Sequence, residues 1–404
     1  MKTVKFVTLG CKVNQYDTQS IRERFLKTGF TQIYNTEPAD ICLIDTCTVT
    51  ASADRKSRNA IRSCIRGNPQ AKVIVTGCLV EKDANALADI QGISFIISKR
   101  FFPSGISNFC AHTRAFLKIQ DGCDNFCSYC KVPLVRGRSR SRDLREIIND
   151  AQQLVKNGFK EIVLCGICLG AYGRDLEKRR DLVDAIEELE GIEGLLRIRL
   201  SSIEAGDVSG RLINKMKQSQ KLCRHLHIPI QSGDDEILKK MNRRYSRKDY
   251  LNLIKRIKSN VPGIAITTDV LVGFPGETSI NFQNTVDLVK KILPLRTHIF
   301  PYSRRQGTPA GILKDKINTP IVKKRALLLA GISRNCSLIY RKQFLNKAGK
   351  VLIEGHPKEN NKYWEGYADN YIKVWVKSRG NLKNQLVQAR FKKLNKDCIE
   401  ADLL

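Results

Sequence analysis

Short apolar runs alternate with longer polar stretches along most of this chain. Lys5-Phe6-Val7-Thr8-Leu9-Gly10, Ile41-Cys42-Leu43-Ile44-Asp45-Thr46 and Val73-Ile74-Val75-Thr76-Gly77 predict strands over 4–9, 41–45 and 72–76. Helices are expected between them: 17–28, opened by Asp17 or Thr18, and 52–66, with Ser52 as cap and Gly67 as stop. Such alternation argues a parallel sheet with helices on its faces. The segment 99–112, with Phe101-Phe102-Pro103-Ser104-Gly105, reads as a linker. The alternation then restarts, with strand runs at 115–119, 161–165, 196–200, 225–230, 265–272 and 297–301. Helices fall between these runs, for example 143–157, opened by Ser141 or Asp143, and 248–258. Six β/α units predict a partial, six-stranded parallel barrel, whose chemistry belongs to the loops after the strands. Toward the end the pattern changes to short β-type runs at 350–354, 363–367, 371–376, 385–391 and 397–401, a small OB-like barrel. The expected fold class is α/β in three domains: 1–105, 113–338 and 340–404.

Composition narrows the class. With 42% hydrophobic and 27% charged residues the 404-residue chain is globular, and no apolar run approaches the ~20 residues that span a bilayer. The first apolar run is interrupted by Lys5 and Lys12, unlike a secretory signal, so a cytoplasmic protein with no membrane partner is expected. Fourteen cysteines in such a chain argue for metal or redox chemistry over disulfides. The balance of 70 Lys+Arg against 40 Asp+Glu, a net +30, favours a polyanionic partner.

Six cysteines carry the chemistry. Cys123, Cys127 and Cys130 form a C-x3-C-x2-C directly after the first barrel strand. Three thiolates hold three irons of a [4Fe–4S] cube and leave the fourth open, the arrangement that S-adenosylmethionine needs for chelation. A zinc site wants a fourth Cys or His nearby, and none follows in the next thirty residues; zinc or a plain electron-transfer cluster is the alternative. Cys11, Cys47 and Cys78 each follow an apolar run, and strand ends in a parallel sheet share one ligand-binding rim. Buried core thiols are the other reading of these three. Cys165 and Cys168 form an isolated C-x2-C, and Cys42, Cys64, Cys110, Cys223, Cys336 and Cys398 read as core or incidental thiols. His225 and His227 alternate on a strand and read as packed or hydrogen-bonded side chains.

The chain resembles the radical-SAM methylthiotransferases over essentially its whole length. Thr8-Leu9-Gly10-Cys11-Lys12-Val13-Asn14-Gln15, Asp45-Thr46-Cys47-Thr48-Val49 and Gly77-Cys78 are similar to that family's N-terminal domain. Gln120-Asp121-Gly122-Cys123 through Cys130, with the Arg136–Arg142 run, resemble its radical-SAM loop, and the last domain its RNA-binding TRAM module. Leu9 to Asn14 most resemble the branch that acts on N6-threonylcarbamoyladenosine beside the anticodon of tRNA. The resemblance implies two [4Fe–4S] clusters: an auxiliary one on Cys11, Cys47 and Cys78 that presents sulfur, and the SAM-binding one on Cys123, Cys127 and Cys130. One SAM would then donate a methyl group and another would be cleaved to a radical that activates adenine C2. Position 168 is more usually His in the related branch, which leaves the role of the Cys165–Cys168 loop open.

Expected cofactor contacts lie at strand ends: Ser201, Ser202 and Glu204 after the third strand, Gln231 and Ser232 after the fourth, and Gly273, Gly276 and Glu277 after the fifth. Glu277 has the alternative of capping the next helix. Arg136, Arg138, Arg140 and Arg142, with Arg304, are expected to face RNA phosphate, joined by Arg296 and Arg305. In the last domain Tyr363, Trp364, Tyr367, Tyr371 and Trp375 interleave with Lys362, Lys373 and Lys377, a pattern suited to stacking bases. The resemblance implies the tRNA anticodon loop as partner and an electron donor such as flavodoxin or ferredoxin, and leaves the sulfur source unidentified. Other substrates to weigh are isopentenyladenosine in tRNA and an aspartate of a ribosomal protein; a non-enzymatic iron–sulfur RNA-binding protein is the third alternative.

Overall fold

The structure, a computed structural model, describes residues 2–34, 37–102, 104–110 and 112–404. Pro103 of the expected linker lies outside the described residues. β1 (Thr3–Thr8), β2 (Thr31–Gln32), β3 (Ile41–Thr46), β4 (Lys72–Gly77) and β5 (Phe95–Ile96) form a parallel sheet in the order β2-β1-β3-β4-β5. Register places Thr8 beside Asp45 and Asp45 beside Thr76, so the three central strands end at one level. The first helix spans Lys12–Lys27, starting well before the expected Asp17. Gly10, at φ +111°, turns the chain, and the Asn14 amide donates to Leu9 O, Asp45 Oδ1 and Thr46 O, each at 3.0 Å, anchoring the first turn to the sheet edge. The next helix, Ala51–Gly67, is capped by Thr50 rather than Ser52: Thr50 Oγ1 accepts from Ala53 N at 3.1 Å.

The middle of the chain builds the partial barrel. β6 (Ala115–Lys118), β9 (Glu161–Cys165) and β10 (Arg197–Leu200) form one parallel sheet, and β11 (His225–His227), β12 (Ala265–Val272) and β13 (Arg296–Pro301) another. Single bridges from Ile198 to Leu222 and from Ser202 to His227 join them. β11 stops short of the expected residue 230 because Pro229 has no N–H to give and Gln231 sits at φ +63°. Between β6 and β9, β7 (Gln120–Asp121) pairs antiparallel with β8 (Arg140–Ser141) and closes the base of the cysteine loop.

A helix over Thr319–Lys342 leads to the last domain. Its buried stripe is Arg325, Leu329, Ser333, Cys336, Tyr340 and Arg341, so polar side chains occupy the inward face and apolar periodicity does not announce it. β14 (Ala348–Gly355), β15 (Tyr363–Ala368), β16 (Lys373–Lys377), β17 (Leu386–Asn395) and β18 (Cys398–Leu403) form a closed barrel around Ile353, Trp364, Val374, Val376 and Phe391. This barrel seals one end of the larger one. Glu161, fully buried, holds Arg199 at 2.6 Å, with Arg197 at 3.6 Å and Arg114 at 3.8 Å. Arg197 donates to Tyr367 O and Lys350 O, and Arg199 to Asp369 O and Ala368 O. Tyr367 and Tyr371 lie under the Arg114 guanidinium at 4.8 and 5.4 Å. These two tyrosines, expected to stack bases, are therefore occupied between domains; Tyr363 and Trp375 remain outward, 5.6 Å apart.

Candidate active site

Cys11 is the N-cap of the first helix, Cys47 follows β3 and Cys78 opens the helix after β4. The shared strand register brings all three to one rim. Gly77, at φ +98°, makes the turn into Cys78; a Cβ there would lie 2.2 Å from Asp45 Oδ1. Asn14 Oδ1 stands 3.6 Å from Cys11 Sγ and 3.9 Å from Cys78 Sγ. Burial, helped by the neighbouring Cys78 and Cys11, pushes the Cys47 thiol up to about 11. Burial also raises Cys78, opposed by Arg136 and by Lys99, whose Nζ lies 3.6 Å from Cys78 Sγ. Thiols that suppress one another's ionisation need a cation to become three thiolates together, and an iron cluster supplies that charge. The residues at this rim fit the group.

The second set lies on the loop after β6. Gly122, at φ +72°, faces Arg138 O, where a Cβ would fall at 1.9 Å, and Cys123 N donates to Gly137 O at 3.1 Å. Burial drives the Cys130 thiol up to about 12 and raises Cys127. Arg243 Nη1 lies 3.1 Å from Cys127 Sγ and 3.3 Å from Glu204 Oε1. Asn125 N donates to Cys123 Sγ at 3.4 Å and favours its thiolate, while Cys168 Sγ lies 3.4 Å from Asp207 Oδ2 and accepts from Asn125 Nδ2 at 3.5 Å. Burial of Cys165 raises its thiol, and Cys11 and Lys12 act on it electrostatically. The two thiol sets are joined by Arg136, which donates to Asn14 Oδ1 and, at 2.8 Å, to Asp121 Oδ1.

The strand-end residues divide. Ser201 Oγ is buried without a partner, a polar atom left for a ligand; Ser202 bridges His227 of β11, and Gln231, beyond that strand, bridges Val270 of β12. Glu204 pairs with Arg243. Gly273 lines a cavity of about 410 Å³ with Pro275, Tyr302, Arg304 and Leu313. Gly276 is a turn residue at φ +77°. Two of the expected contacts are buried and already have partners. Ser232 is 1% exposed and bonded to Thr285, and Glu277 is 2% exposed, accepting from Gly273 N at 2.9 Å and Arg325 Nη1 at 2.7 Å. Both are bonded within the scaffold.

The basic run divides likewise. Arg138 and Arg140 are exposed, but Arg136 is 3% exposed and paired with Asp121, and Arg142 pairs with Asp150 at 3.0 Å and donates to Tyr16 Oη at 2.7 Å. Arg304 Nε bonds Gly311 O, while Arg305 is buried against Thr48 and Asp54 of the N-terminal sheet. Sequence reasoning missed Arg243 and Lys99: one sits in an Arg-Arg pair that resembles a solvated surface, the other in the expected linker. It also missed Asn14, although that residue lies within the quoted Cys11 stretch.

A partial β/α barrel with a three-cysteine loop after its first strand defines the radical-SAM class, and residues 117–289 match the Radical SAM superfamily profile. Residues 3–98 match the family described as Uncharacterized protein family UPF0004. The chain is 38% identical to threonylcarbamoyladenosine tRNA methylthiotransferase MtaB of Bacillus subtilis, over 97% of this chain and 94% of the relative. It is 33% identical to the protein of the same name from Thermotoga maritima, over 98% and 96%. It is also 33% identical to tRNA-2-methylthio-N(6)-dimethylallyladenosine synthase of Clostridium tetani, over 90% and 87%. Among solved structures, the radical S-adenosylmethionine methyltransferase TsrM of Kitasatospora setae shares the fold, at TM-score 0.57 and 14% identity over 77% of each chain. The chain belongs to the radical-SAM methylthiotransferase family and is an enzyme, with SAM and two [4Fe–4S] clusters as its cofactors. Among the described residues no helix is long and apolar enough to cross a membrane.

Proposed function

We propose that this enzyme attaches a methylthio group to C2 of N6-threonylcarbamoyladenosine at position 37 of tRNA, working in the cytoplasm. The observation that carries the reading is Arg136, which ties Asn14, beside Cys11 and Cys78, to Asp121 at the base of the Cys123–Cys130 loop. Near-full-length relatives named for this tRNA modification support the substrate. Cys123, Cys127 and Cys130 would hold the SAM-binding cluster, and Cys11, Cys47 and Cys78 the auxiliary one. Together with SAM the clusters supply the radical and sulfur chemistry that an unactivated C2–H requires.

The chain's own residues set the stage for it. Arg243 fixes Glu204 beside Cys127. Ser201, Ser202 and Gln231 present polar groups at the strand ends, and the cavity past Gly273 offers room for the adenosyl group. Arg305 latches the N-terminal sheet to the barrel mouth through Thr48 and Asp54. The units 1–105, 113–338 and 340–404 would act as cluster domain, radical barrel and RNA-binding module. Exposed Arg138 and Arg140, with Tyr363, Trp375 and Lys377, are the surfaces for tRNA. An anticodon-loop base is already unpaired, so presenting it to the barrel costs little. Flavodoxin or ferredoxin would donate the electron.

The test is nucleoside mass spectrometry of tRNA from cells with and without this gene. Loss of 2-methylthio-N6-threonylcarbamoyladenosine is expected, with the unthiolated nucleoside accumulating. An unchanged level overturns the substrate. Loss of the dimethylallyl counterpart instead would move the enzyme to the activity named for its other relatives.

A further inference from the structure

The open side of the partial barrel lies between its edge strands β6 and β13. On the β6 side, Lys12 of the N-terminal sheet domain extends over the Phe116 ring, with Nζ 5.9 Å from its centroid. On the β13 side, register puts Arg296 beside Thr267 and His298 beside Asp269, so these side chains share the lumen face of β12 and β13. Lys12 and Arg296 both act electrostatically on His298, and Lys12 also acts on His225 and Tyr371. Lys12 thus reaches the mouth from the β6 edge, and Arg296 stands on the β13 edge two positions from His298 on the same face. Both are exposed, and neither has a carboxylate within ion-pair distance among the described residues. The one acid there, Asp269, is held by His227 Nε2 at 3.2 Å. Thr267 Oγ1 in turn bonds both His225 and His227, at 2.9 Å each.

This constellation lies next to the auxiliary rim, since Lys12 directly follows Cys11. Two unpaired cations beside a fixed carboxylate and imidazoles form a surface suited to a small group that carries an anion together with hydrogen-bond donors. An aliphatic group would leave those polar atoms unmatched.

We infer that Lys12 and Arg296 form a carboxylate subsite that recognises the amino-acid part of the substituent on adenine N6, with His298 and the His227–Asp269 pair completing it. The inference rests on the threonylcarbamoyl reading above. The threonine carboxylate pairs with the two cations, and its hydroxyl and the carbamoyl N–H find acceptors at Asp269 and the histidines. A dimethylallyl substituent has none of these groups and is refused by desolvation of the cations, without a steric block.

The test compares binding of a tRNA anticodon stem-loop bearing N6-threonylcarbamoyladenosine with one bearing unmodified adenosine and one bearing N6-dimethylallyladenosine. Reconstituted wild type, Lys12→Met, Arg296→Met and Arg138→Met enzymes are used, with iron content per chain checking that each is folded and loaded. Wild type should prefer the threonylcarbamoyl loop. Lys12→Met and Arg296→Met should each lose about tenfold to a hundredfold of that preference while holding the unmodified loop as before. Arg138→Met should weaken all three loops alike and keep the preference. If the two lumen variants keep the wild-type preference, the subsite is wrong while the substrate stands. If wild type itself shows no preference for the threonylcarbamoyl loop and makes no thiolated product from it, the substrate reading falls first.

Discussion

At the scale of single residues, the site depends on groups that let others approach. Gly77 is the clearest. Its backbone is left-handed, and Asp45 Oδ1 and Thr46 N occupy the space a side chain would take, at 2.2 and 2.5 Å from a built Cβ. Gly77→Ala must either move β3 from β4 or rotate Cys78 off the rim, at a cost of about 1–3 kcal/mol. Iron per chain should then fall from about eight toward about four, because only the auxiliary set is disturbed. Full iron content in that variant would show that the turn does not position Cys78. Spacing alone made Cys123, Cys127 and Cys130 legible, since all three lie on one short loop. Arg243 and Lys99 were not legible, because what matters about them is contact with Cys127 and Cys78 across more than a hundred and about twenty positions of chain respectively.

At the scale of elements, the long core strands were readable because apolar runs bounded by Gly, Pro and charge have few other fates, whereas the two-residue strands β2, β5, β7 and β8 carry no such run. The helix Lys12–Lys27 shows where that reading stops. Its first turn is held by Asn14 bonding to the ends of β1 and β3, a tertiary contact that local propensity does not contain. The same limit applies to Thr319–Lys342, whose inward face is mixed: Arg325 reaches Glu277 and Arg341 caps the turn between β17 and β18. The basic run after Cys130 looked like one phosphate-facing edge. The short β7–β8 ladder and the neighbouring carboxylates turn Arg136 and Arg142 inward and leave Arg138 and Arg140 outside.

At the scale of the molecule, the three bodies are joined by buried charge. Glu161 neutralises the arginines that reach the backbone of the C-terminal barrel. Glu161→Gln keeps the volume and removes that charge, leaving Arg197 and Arg199 repelling one another in a closed space while Arg114 keeps Glu354 at 2.6 Å. Destabilisation of about 3–5 kcal/mol is expected, read as a lowered Tm and faster proteolysis after the Thr319–Lys342 helix. An unchanged Tm and unchanged protection would mean that apolar packing alone docks the barrel. The small C-terminal barrel was legible from the change of hydrophobic period, but its seam was not: Glu161 and Arg199 read as alternating residues of two ordinary strands until the barrel closes around them.

The whole arrangement serves one claim, that two cysteine sets divide one reaction between them. Its most direct test follows 5′-deoxyadenosine and thiolated tRNA together in reconstituted Cys47→Ala and Cys127→Ala enzymes. Cys47→Ala should still cleave SAM to 5′-deoxyadenosine under reducing conditions and give no methylthio product, whereas Cys127→Ala should give neither. Thiolated tRNA from Cys47→Ala, or 5′-deoxyadenosine from Cys127→Ala, would contradict the division.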